Sequence, residues 1–218
     1  MLKRKKTFFV GVGFLFAFLL WTLLVRFVDV QAIGPRESLI GFATINDLVR
    51  RLIGTNMDLY AITDWLGLVP IAVAIGFAVL GLVQWIKRRR LIKVDYSLLI
   101  LGGFYVVVMM VYAFFEWFVI NYRPLLIDGY LEASYPSSTT MLVMCVMPTA
   151  FMQFCARIKN KIHRRIVAFI VAIFTALMVI GRIVAGVHWI TDIVGGVLIS
   201  VGLVLLYYSI SGLNFSIK

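Results

Sequence analysis

Apolar residues run through this chain in six long, nearly uncharged stretches separated by shorter polar segments. The stretches cover approximately residues 7–28, 66–86, 98–120, 138–156, 166–185 and 193–211. A helix rises about 1.5 Å per residue, so roughly 20 apolar residues cross the hydrocarbon core of a bilayer. The pattern therefore predicts an all-α integral membrane bundle of six transmembrane helices, forming one membrane domain over residues 1–218.

The longest segment outside these stretches is the connection at residues 29–65. Apolar residues recur in it at helical spacing, namely Phe42, Ile45, Val49, Leu52 and Ile53. Polar residues fall between them, namely Asn46, Asp47, Arg50 and Arg51. This pattern is typical of a helix lying flat at the membrane surface. A short helix packed over the bundle would give the same pattern, and both interpretations stay open.

Glycines also occur inside the predicted spans, at positions 76, 81, 102, 103, 195, 196 and 202. Small residues allow membrane helices to approach one another closely. We therefore expect helix contacts at these positions.

Composition excludes an ordinary soluble domain. Hydrophobic residues make up 62% of the chain and charged residues only 14%, whereas about a quarter of a soluble domain is charged. The net charge of +11 comes largely from basic clusters at 1–6, 87–93 and 157–165, with Lys218 after the last span. These segments alternate with the spans, so the positive-inside rule predicts that they, and both termini, are cytoplasmic. The charge is then an orientation signal, and no nucleic-acid partner is expected.

Four ionisable residues lie within or beside the predicted spans, where charge is costly and indicates function by default: Glu116, Arg182, His188 and Asp192. The predicted topology brings them to the extracytoplasmic end. Span three ends there with Glu116 and the sequence NYRP, and span four begins there with YPSSTT. Span five also ends there with Arg182, and the turn into span six carries His188 and Asp192. Three separate segments therefore carry polar groups to one side of the membrane.

The segment GRIVAGVHWITD suggests a specific chemistry. His188 and Asp192 are four residues apart, which on a helix would let the carboxylate accept a hydrogen bond from the imidazole. Arg182, together with Arg123 from the opposite wall, could bind an oxyanion. A histidine oriented in this way is a candidate nucleophile for a phosphoryl group. The alternative is that these residues cap span six and anchor the chain at the headgroups.

These motifs resemble those of the type 2 phosphatidic acid phosphatase and haloperoxidase superfamily, whose signatures read K-x6-R-P, P-S-G-H and S-R-x5-H-x3-D. The third is present with Gly181 in place of serine, and the first is present with Glu116 in place of lysine. The second appears as PSST, with Ser138 and Thr139 in place of glycine and histidine. The three motifs lie within residues 116–192.

The resemblance implies a six-helix membrane lipid phosphatase that needs no metal or cofactor. It implies that His188 attacks phosphorus and that Asp192 orients it. The implied phosphate ligands are Arg123, Ser137, Ser138, Thr139 and Arg182. Ser137 and its neighbours can also start span four and leave amides free for an anion.

Thr139 bears on the substrate, because the family's histidine at this position protonates the leaving oxygen. Loss of a general acid costs about 10²- to 10⁴-fold when the leaving group is an alkoxide. A leaving phosphate, with a second pKa of about 6, needs little help. We therefore expect a polyprenyl diphosphate, such as undecaprenyl diphosphate, to be preferred over phosphatidate.

Glu116 admits two interpretations. Burial among apolar groups could raise its pKa until it serves as the missing acid. The interpretation that we favour is an ion pair with Arg182 or Arg123 that fixes the arginine in place.

The sequence thus predicts a multi-pass plasma-membrane protein, bacterial in type, that hydrolyses a lipid phosphate or diphosphate at the extracytoplasmic face through a phosphohistidine. The alternative is a related protein that binds or transports lipid phosphates without turnover. The expected partners are the lipid substrate and the bilayer, and a homo-oligomer is allowed.

Overall fold

The structure is a computed structural model that describes residues 2–213 as helices joined by short loops, so the predicted position of Lys218 lies outside the described residues. The α-helices are α1 (Leu2–Phe27), α2 (Ala43–Ile53), α3 (Met57–Leu66), α4 (Leu68–Arg88), α5 (Tyr96–Trp117), α6 (Ser138–Arg157), α7 (Lys161–Val184) and α8 (Ile190–Ile210). Two 3₁₀ turns, Pro35–Glu37 and Leu91–Lys93, lie in loops. The described residues contain isolated β-bridges but no strand.

Six helical segments are long and apolar enough to cross a membrane, which confirms the predicted all-α bundle. They are Leu2–Phe27, Met57–Arg88, Tyr96–Trp117, Ser138–Arg157, Lys161–Val184 and Ile190–Ile210. The second segment is longer than the sequence predicts because α3 leads directly into α4 through Gly67. Part of the predicted 29–65 connection is therefore a helical extension of the second span.

Polar side chains define where several helices start. Asn56 accepts a hydrogen bond from the Leu59 amide at 2.9 Å and so caps α3. Asn160 caps α7 by accepting from the Ile162 amide at 2.8 Å. Such caps satisfy amides that have no partner inside the helix.

The first and last helices pack closely against each other. A Cβ added to Gly11 of α1 would lie 3.1 Å from the Gly202 carbonyl oxygen of α8, and one added to Gly202 would lie 2.7 Å from the Leu15 side chain. Two further bonds join α1 to the motif-bearing end of the bundle. Trp21 donates its indole N–H to the Thr191 carbonyl at 3.1 Å, and the Thr22 and Tyr135 hydroxyls are 2.7 Å apart.

The prediction of close packing is confirmed for the glycines of α8 and is wrong for those of α4 and α5. Added Cβ atoms at Gly195 and Gly196 would meet Tyr135 at 2.6 Å and the Ser137 carbonyl at 3.2 Å. In contrast, added Cβ atoms would meet nothing within 4 Å at positions 76, 81, 102 and 103. Those four glycines therefore make no close helix contact.

Helix α2 lies over the end of the bundle with its polar side inward. Asn46 is buried and donates to the Gly41 carbonyl at 2.8 Å and to the Thr191 hydroxyl at 3.0 Å. Four apolar side chains of the helix are exposed: Ile45, Leu48, Leu52 and Ile53. The polar contact explains why Asn46 interrupts an otherwise apolar spacing.

Candidate active site

The motif residues come together at one end of the bundle. The site is built from the loop after α5, the start of α6, the end of α7 and the turn into α8, and α3 covers it. Two extended segments of the loop pair with each other: the Arg123 amide donates to the Glu132 carbonyl at 3.0 Å, and the Ser134 amide donates to the Asn121 carbonyl at 2.9 Å. This pairing places Asn121 and Ser134 side by side next to Asp192.

A serine connects His188 to Asp192. The imidazole Nδ1 is 3.9 Å from Asp192 Oδ2, too long for the direct hydrogen bond that the sequence predicts. The Ser134 hydroxyl lies between them, 3.0 Å from Nδ1 and 2.5 Å from Oδ2. The i, i+4 argument does not apply because His188 precedes α8, which begins at Ile190. The two residues are therefore linked through a third.

The hydrogen bonds assign the protons of this triad. Ser134 has one hydroxyl proton, which it donates to the Asp192 carboxylate, so its oxygen accepts from Nδ1–H of His188. The imidazole is then the Nδ1–H tautomer with a lone pair on Nε2. Asp192 is fully buried and accepts two further bonds, from Asn121 Nδ2 at 3.1 Å and from the Trp189 amide at 3.0 Å.

The surroundings of His188 favour its neutral form. Burial lowers the pKa of His188 well below its usual value of 6.5, and the charges of Arg123 and Arg182 lower it further. A neutral imidazole retains the lone pair that a nucleophile needs. Nε2 is buried and has no hydrogen-bond partner among the described residues.

Arg182 is buried at the centre of the site and contacts two helices. Its Nη1 donates to the Thr63 hydroxyl at 3.2 Å, and its Nη2 donates to Asp64 at 3.2 Å and to the Thr139 hydroxyl at 2.6 Å. Its side chain is 1% exposed, whereas that of Asp64 is 59% exposed. The Asp64 carboxylate can therefore move away from the Arg182 guanidinium into solvent.

Arg123 lies close to Arg182 and has its own carboxylate. Its Nε is 3.0 Å from Glu132 Oε2, in an ion pair that lacks hydrogen-bond alignment. Both guanidinium groups lie over the ring of Tyr60, at 5.9 Å for Arg123 and 5.0 Å for Arg182. Two cations beside one aromatic ring raise the affinity of the site for an anion.

Unsatisfied polar atoms are concentrated in this site. Among the described residues, most of the buried side-chain polar atoms without a hydrogen-bond partner belong to three residues: Arg123 (Nε and Nη1), Arg182 (Nε) and His188 (Nε2). Buried polar groups in proteins are rarely left unpaired, and those that are need an explanation. An oxyanion ligand that receives the arginine bonds, with an electrophilic atom facing the Nε2 lone pair, provides one.

The start of α6 faces the same region. Ser137 is the N-cap and accepts from the Thr140 amide at 3.5 Å. Ser138 and Thr139 are the first two residues of the helix, so their amides have no acceptor within it. Helix N-termini of this kind bind anions. The structure therefore brings Thr139 against Arg182 at 2.6 Å, directly after Ser137 and Ser138.

Glu116 does not form the ion pair that the sequence suggests. Arg123 pairs with Glu132 and Arg182 pairs with Asp64, so the arginines have other carboxylate partners. Glu116 is exposed near the end of α5. It lines a cleft of about 10 Å³ that also borders Ser134 and Ser138, a space of roughly one water molecule. The carboxylates nearest the arginines come instead from segments without a motif.

Two glycines of the third motif allow the close approach of other segments. A Cβ added to Gly181 would lie 2.7 Å from the Thr63 side chain, so a residue with a side chain here would displace α3. Gly186 has a φ of +67°, and a Cβ added there would lie 2.0 Å from the Gly54 carbonyl oxygen. The replacement of the family's serine by Gly181 is thus matched by the contact between Thr63 and Arg182.

Sequence reasoning missed several residues of the site: Tyr60, Thr63, Asp64, Asn121, Glu132 and Ser134. Tyr60, Thr63 and Asp64 follow the capping residue Asn56 at spacings that place them on one face of a helix. That signal could have identified α3. Nothing in the local sequence marks Asn121, Glu132 or Ser134, because loop pairing brings them to Asp192 and Arg123.

The fold and the site define a multi-pass helical membrane protein with a buried, cationic, histidine-containing pocket. Residues 97–216 match the PAP2 superfamily, and the chain belongs to that family. A crystal structure described as the first transmembrane PAP2-type phosphatidylglycerolphosphate phosphatase from Bacillus subtilis has a similar fold, with a TM-score of 0.50 and 20% identity over 91% of this chain and 93% of that one. Among curated proteins, none matches the sequence significantly. Family membership supports phosphatase activity in general.

Proposed function

We propose that this protein is a membrane lipid phosphatase that uses His188 as its nucleophile. The observation that carries the proposal is the concentration of unpaired, buried nitrogen atoms on His188, Arg123 and Arg182. Two guanidinium groups, the first amides of α6 and one imidazole lone pair together match a phosphoryl group and its point of attack.

The proposed reaction has two steps. In the first, the His188 Nε2 lone pair attacks the terminal phosphorus, the bond from that phosphorus to the leaving oxygen breaks, and the leaving oxygen keeps the bond electrons. A lipid alkoxide then takes a proton from water, whereas a lipid monophosphate leaves without one. In the second, water attacks the phosphohistidine, which releases inorganic phosphate and restores the imidazole. Positive charge builds on the imidazole in the first step, and Ser134 transmits the stabilising effect of Asp192 to it.

The carboxylates of Asp64 and Glu132 give the empty site internal counter-ions. Each is paired with one phosphate-binding arginine and each is largely accessible to solvent. A substrate phosphate would displace them and receive the guanidinium bonds. This exchange keeps the two neighbouring cations compensated both before and after binding.

A groove next to the site fits the lipid part of the substrate. It has a volume of about 460 Å³, within the range of about 300–1,000 Å³ that is usual for ligand sites. Asp64 and Thr139 line it close to the phosphate pocket, and apolar residues of α4, α5 and α6 line the rest. Leu68, Ile71 and Met109 are exposed on the membrane side. We infer that an acyl or prenyl chain lies in this groove.

We further propose that the preferred substrate is a diphosphate, such as a polyprenyl diphosphate. The Thr139 hydroxyl accepts a hydrogen bond from Arg182 and can donate its proton to a phosphate oxygen, but it is too weak an acid to protonate an alkoxide. The nearest carboxyl group, Asp64, is ion-paired and acts as an acceptor. A leaving phosphate makes general acid catalysis unnecessary.

Phosphate release in proteoliposomes tests both parts of this proposal. We expect wild-type protein to hydrolyse a polyprenyl diphosphate at least about 100-fold faster than phosphatidate, the lower end of the contribution of a general acid. His188→Ala should abolish release. His163→Ala is the matched control, because His163 is the only other histidine and is exposed at the basic end of the bundle. Equal rates for His188→Ala and wild type would eliminate the enzymatic proposal, and equal rates on the two lipids would eliminate the preference.

A second candidate function is binding or transport of lipid phosphates without turnover. The occupied Arg182, which already contacts Asp64 and Thr139, and the absence of a histidine at position 139 favour it. Saturable binding of the same lipids with no phosphate release from any of them would support this alternative.

We also propose that the site lies at the extracytoplasmic face of the plasma membrane. The basic loops 87–93 and 157–165 lie at the opposite end of the helices from His188, which by the positive-inside rule is the cytoplasmic end. A cysteine introduced as Glu37→Cys, in the exposed connection before α2, should react with an impermeant maleimide in intact cells. Lys161→Cys, at the basic end, should react only after permeabilisation, and the reverse pattern would invert the topology. The native Cys145 and Cys155 are buried.

A further inference from the structure

A second groove lies between α4 and α5 at the basic end of the bundle. It has a volume of about 320 Å³ and an almost entirely apolar lining. Its walls include Phe77 and Trp85 of α4, Leu98 and Tyr105 of α5, and Leu91 of the connecting loop. Trp85 follows Leu68 by 17 residues, so the groove is roughly 25 Å along α4 from the end that borders the phosphate site. It is separate from the groove proposed for the substrate.

Glycines keep this groove open. Gly81 and Gly102 line it from opposite helices, and a Cβ added to either would meet nothing within 4 Å. Glycine lowers helix stability, and inside a membrane helix it commonly allows a close helix contact. Neither Gly81 nor Gly102 makes such a contact. The space beside them is part of the groove.

Uncompensated positive charge lies at the mouth of the groove. The loop that joins α4 to α5 carries five cations within residues 87–93 and one acid, Asp95. The Gln84 amide hydrogen bond lowers the pKa of Asp95, with further lowering from Arg88 and Arg157. Arg88 and Arg157 lie 3.0 and 3.6 Å from this carboxylate. The remaining cations are exposed and have no acidic partner among the described residues: Lys87, Arg89, Arg90 and Lys93.

We propose that the α4–α5 groove binds an anionic phospholipid, with one acyl chain along Gly81 and Gly102 and the phosphate headgroup against the 87–93 loop. An apolar slot that ends in a cluster of cations matches the two halves of such a molecule. Cationic segments at a membrane surface attract anionic lipid, by about fivefold in affinity for each Lys or Arg close to the surface. The proposal is independent of the catalytic role of His188.

Charge also selects this occupant over a second copy of the chain. Contact between two copies across this face would bring two 87–93 loops together and oppose eight or more positive charges. A zwitterionic lipid would fill the apolar slot but would gain little from the loop. An anionic lipid satisfies both features.

Native mass spectrometry of the full-length protein in detergent tests this proposal. The probes are phosphatidylglycerol and phosphatidylcholine with identical acyl chains. We expect phosphatidylglycerol to bind at least about fivefold more tightly. Gly102→Leu should weaken phosphatidylglycerol binding at least about tenfold, because the new side chain occupies the groove. Gly103→Leu is the matched control, since it adds the same side chain in open space one residue further along α5 but outside the groove.

A charge variant gives an independent test that leaves the helices intact. The double variant Arg89→Gln/Arg90→Gln should remove most of the preference for phosphatidylglycerol. Lys3→Gln/Lys5→Gln, which removes two exposed charges from the amino-terminal basic cluster, should retain it. Equal affinities for the two lipids, or equal effects of Gly102→Leu and Gly103→Leu, would overturn the proposal. Equal effects of the two charge variants would also overturn it, since binding would then depend only on overall charge or on the phosphate site.

Discussion

Ser134 gives the sharpest prediction about the mechanism. Its hydroxyl is the one group that connects the His188 ring to the Asp192 carboxylate, which are 3.9 Å apart. In Ser134→Ala this gap exceeds the usual hydrogen-bond limit of about 3.2 Å. Asp192 would keep its hydrogen bonds from Asn121 and Trp189. The carboxylate would therefore stay hydrogen-bonded but would no longer be connected to the imidazole.

The structure sets the size of the effect. A hydrogen bond that stabilises a charged group contributes about 1.5–3 kcal/mol, and about 1.4 kcal/mol corresponds to a tenfold change in rate. We therefore expect kcat to fall about 10- to 150-fold. KM should change little, because Ser134 is not among the groups proposed to contact the phosphate. The loss falls on kcat because positive charge on the His188 ring develops only as Nε2 bonds to phosphorus.

Steady-state phosphate release from one lipid substrate measures both constants. The control is Ser200→Ala, which removes an equally buried hydroxyl two turns further along α8 from Asp192. We expect its kcat to stay within about twofold of wild type. A Ser134→Ala enzyme with a wild-type kcat would refute the relay, and an unchanged kcat with a raised KM would assign Ser134 to substrate binding instead.

Three further predictions follow from the same site. Thr139→His restores the family's acid, and it should raise the hydrolysis of phosphatidate relative to that of a diphosphate by about 10²- to 10⁴-fold, measured as a ratio of kcat/KM values; an unchanged ratio would contradict the substrate argument. In His163→Gln, which leaves His188 as the single histidine, ¹⁵N NMR should show an imidazole that stays neutral below pH 6.5. Adding Arg123→Ala should raise the pKa of His188 because a repelling cation is lost. A His188 pKa at or above 6.5 in His163→Gln would contradict the effect of burial. Gly181→Ser should weaken phosphate binding through displacement of Thr63 from Arg182, and a variant with wild-type affinity would show that α3 adjusts freely.

The sequence predicted the six spans because hydrophobic length is a property of each segment alone. It also predicted that Arg123, Arg182, His188 and the start of α6 would meet, since alternating spans return to the same side. Ser134 and Glu132 could not be predicted in this way, because their places depend on backbone pairing within an irregular loop. Asp64 was missed because the apolar pattern of the connection 29–65 does not show that its last nine residues form a helix that continues into the second span.

The departures from the family motifs can be explained by the residues that contact those positions in the fold. Gly181, which looks like a loss of a polar group, allows Thr63 to bond to Arg182. Glu116, which looks like a loss of a cation, lies apart from both arginines, which have Asp64 and Glu132 instead. A motif position therefore cannot be evaluated without the segments that the fold places beside it.

The packing of α1 against α8 has a consequence for how the protein is made. Gly11 of α1 fits against Gly202 of α8, and Trp21 and Thr22 bond to Thr191 and Tyr135 beside the proposed catalytic residues. Of these helices, the ribosome completes α1 first and α8 last. During synthesis α1 must wait in the bilayer without its main partner, and no partly inserted chain contains the assembled pocket. The pocket is therefore complete only when α8 enters the membrane and joins α1.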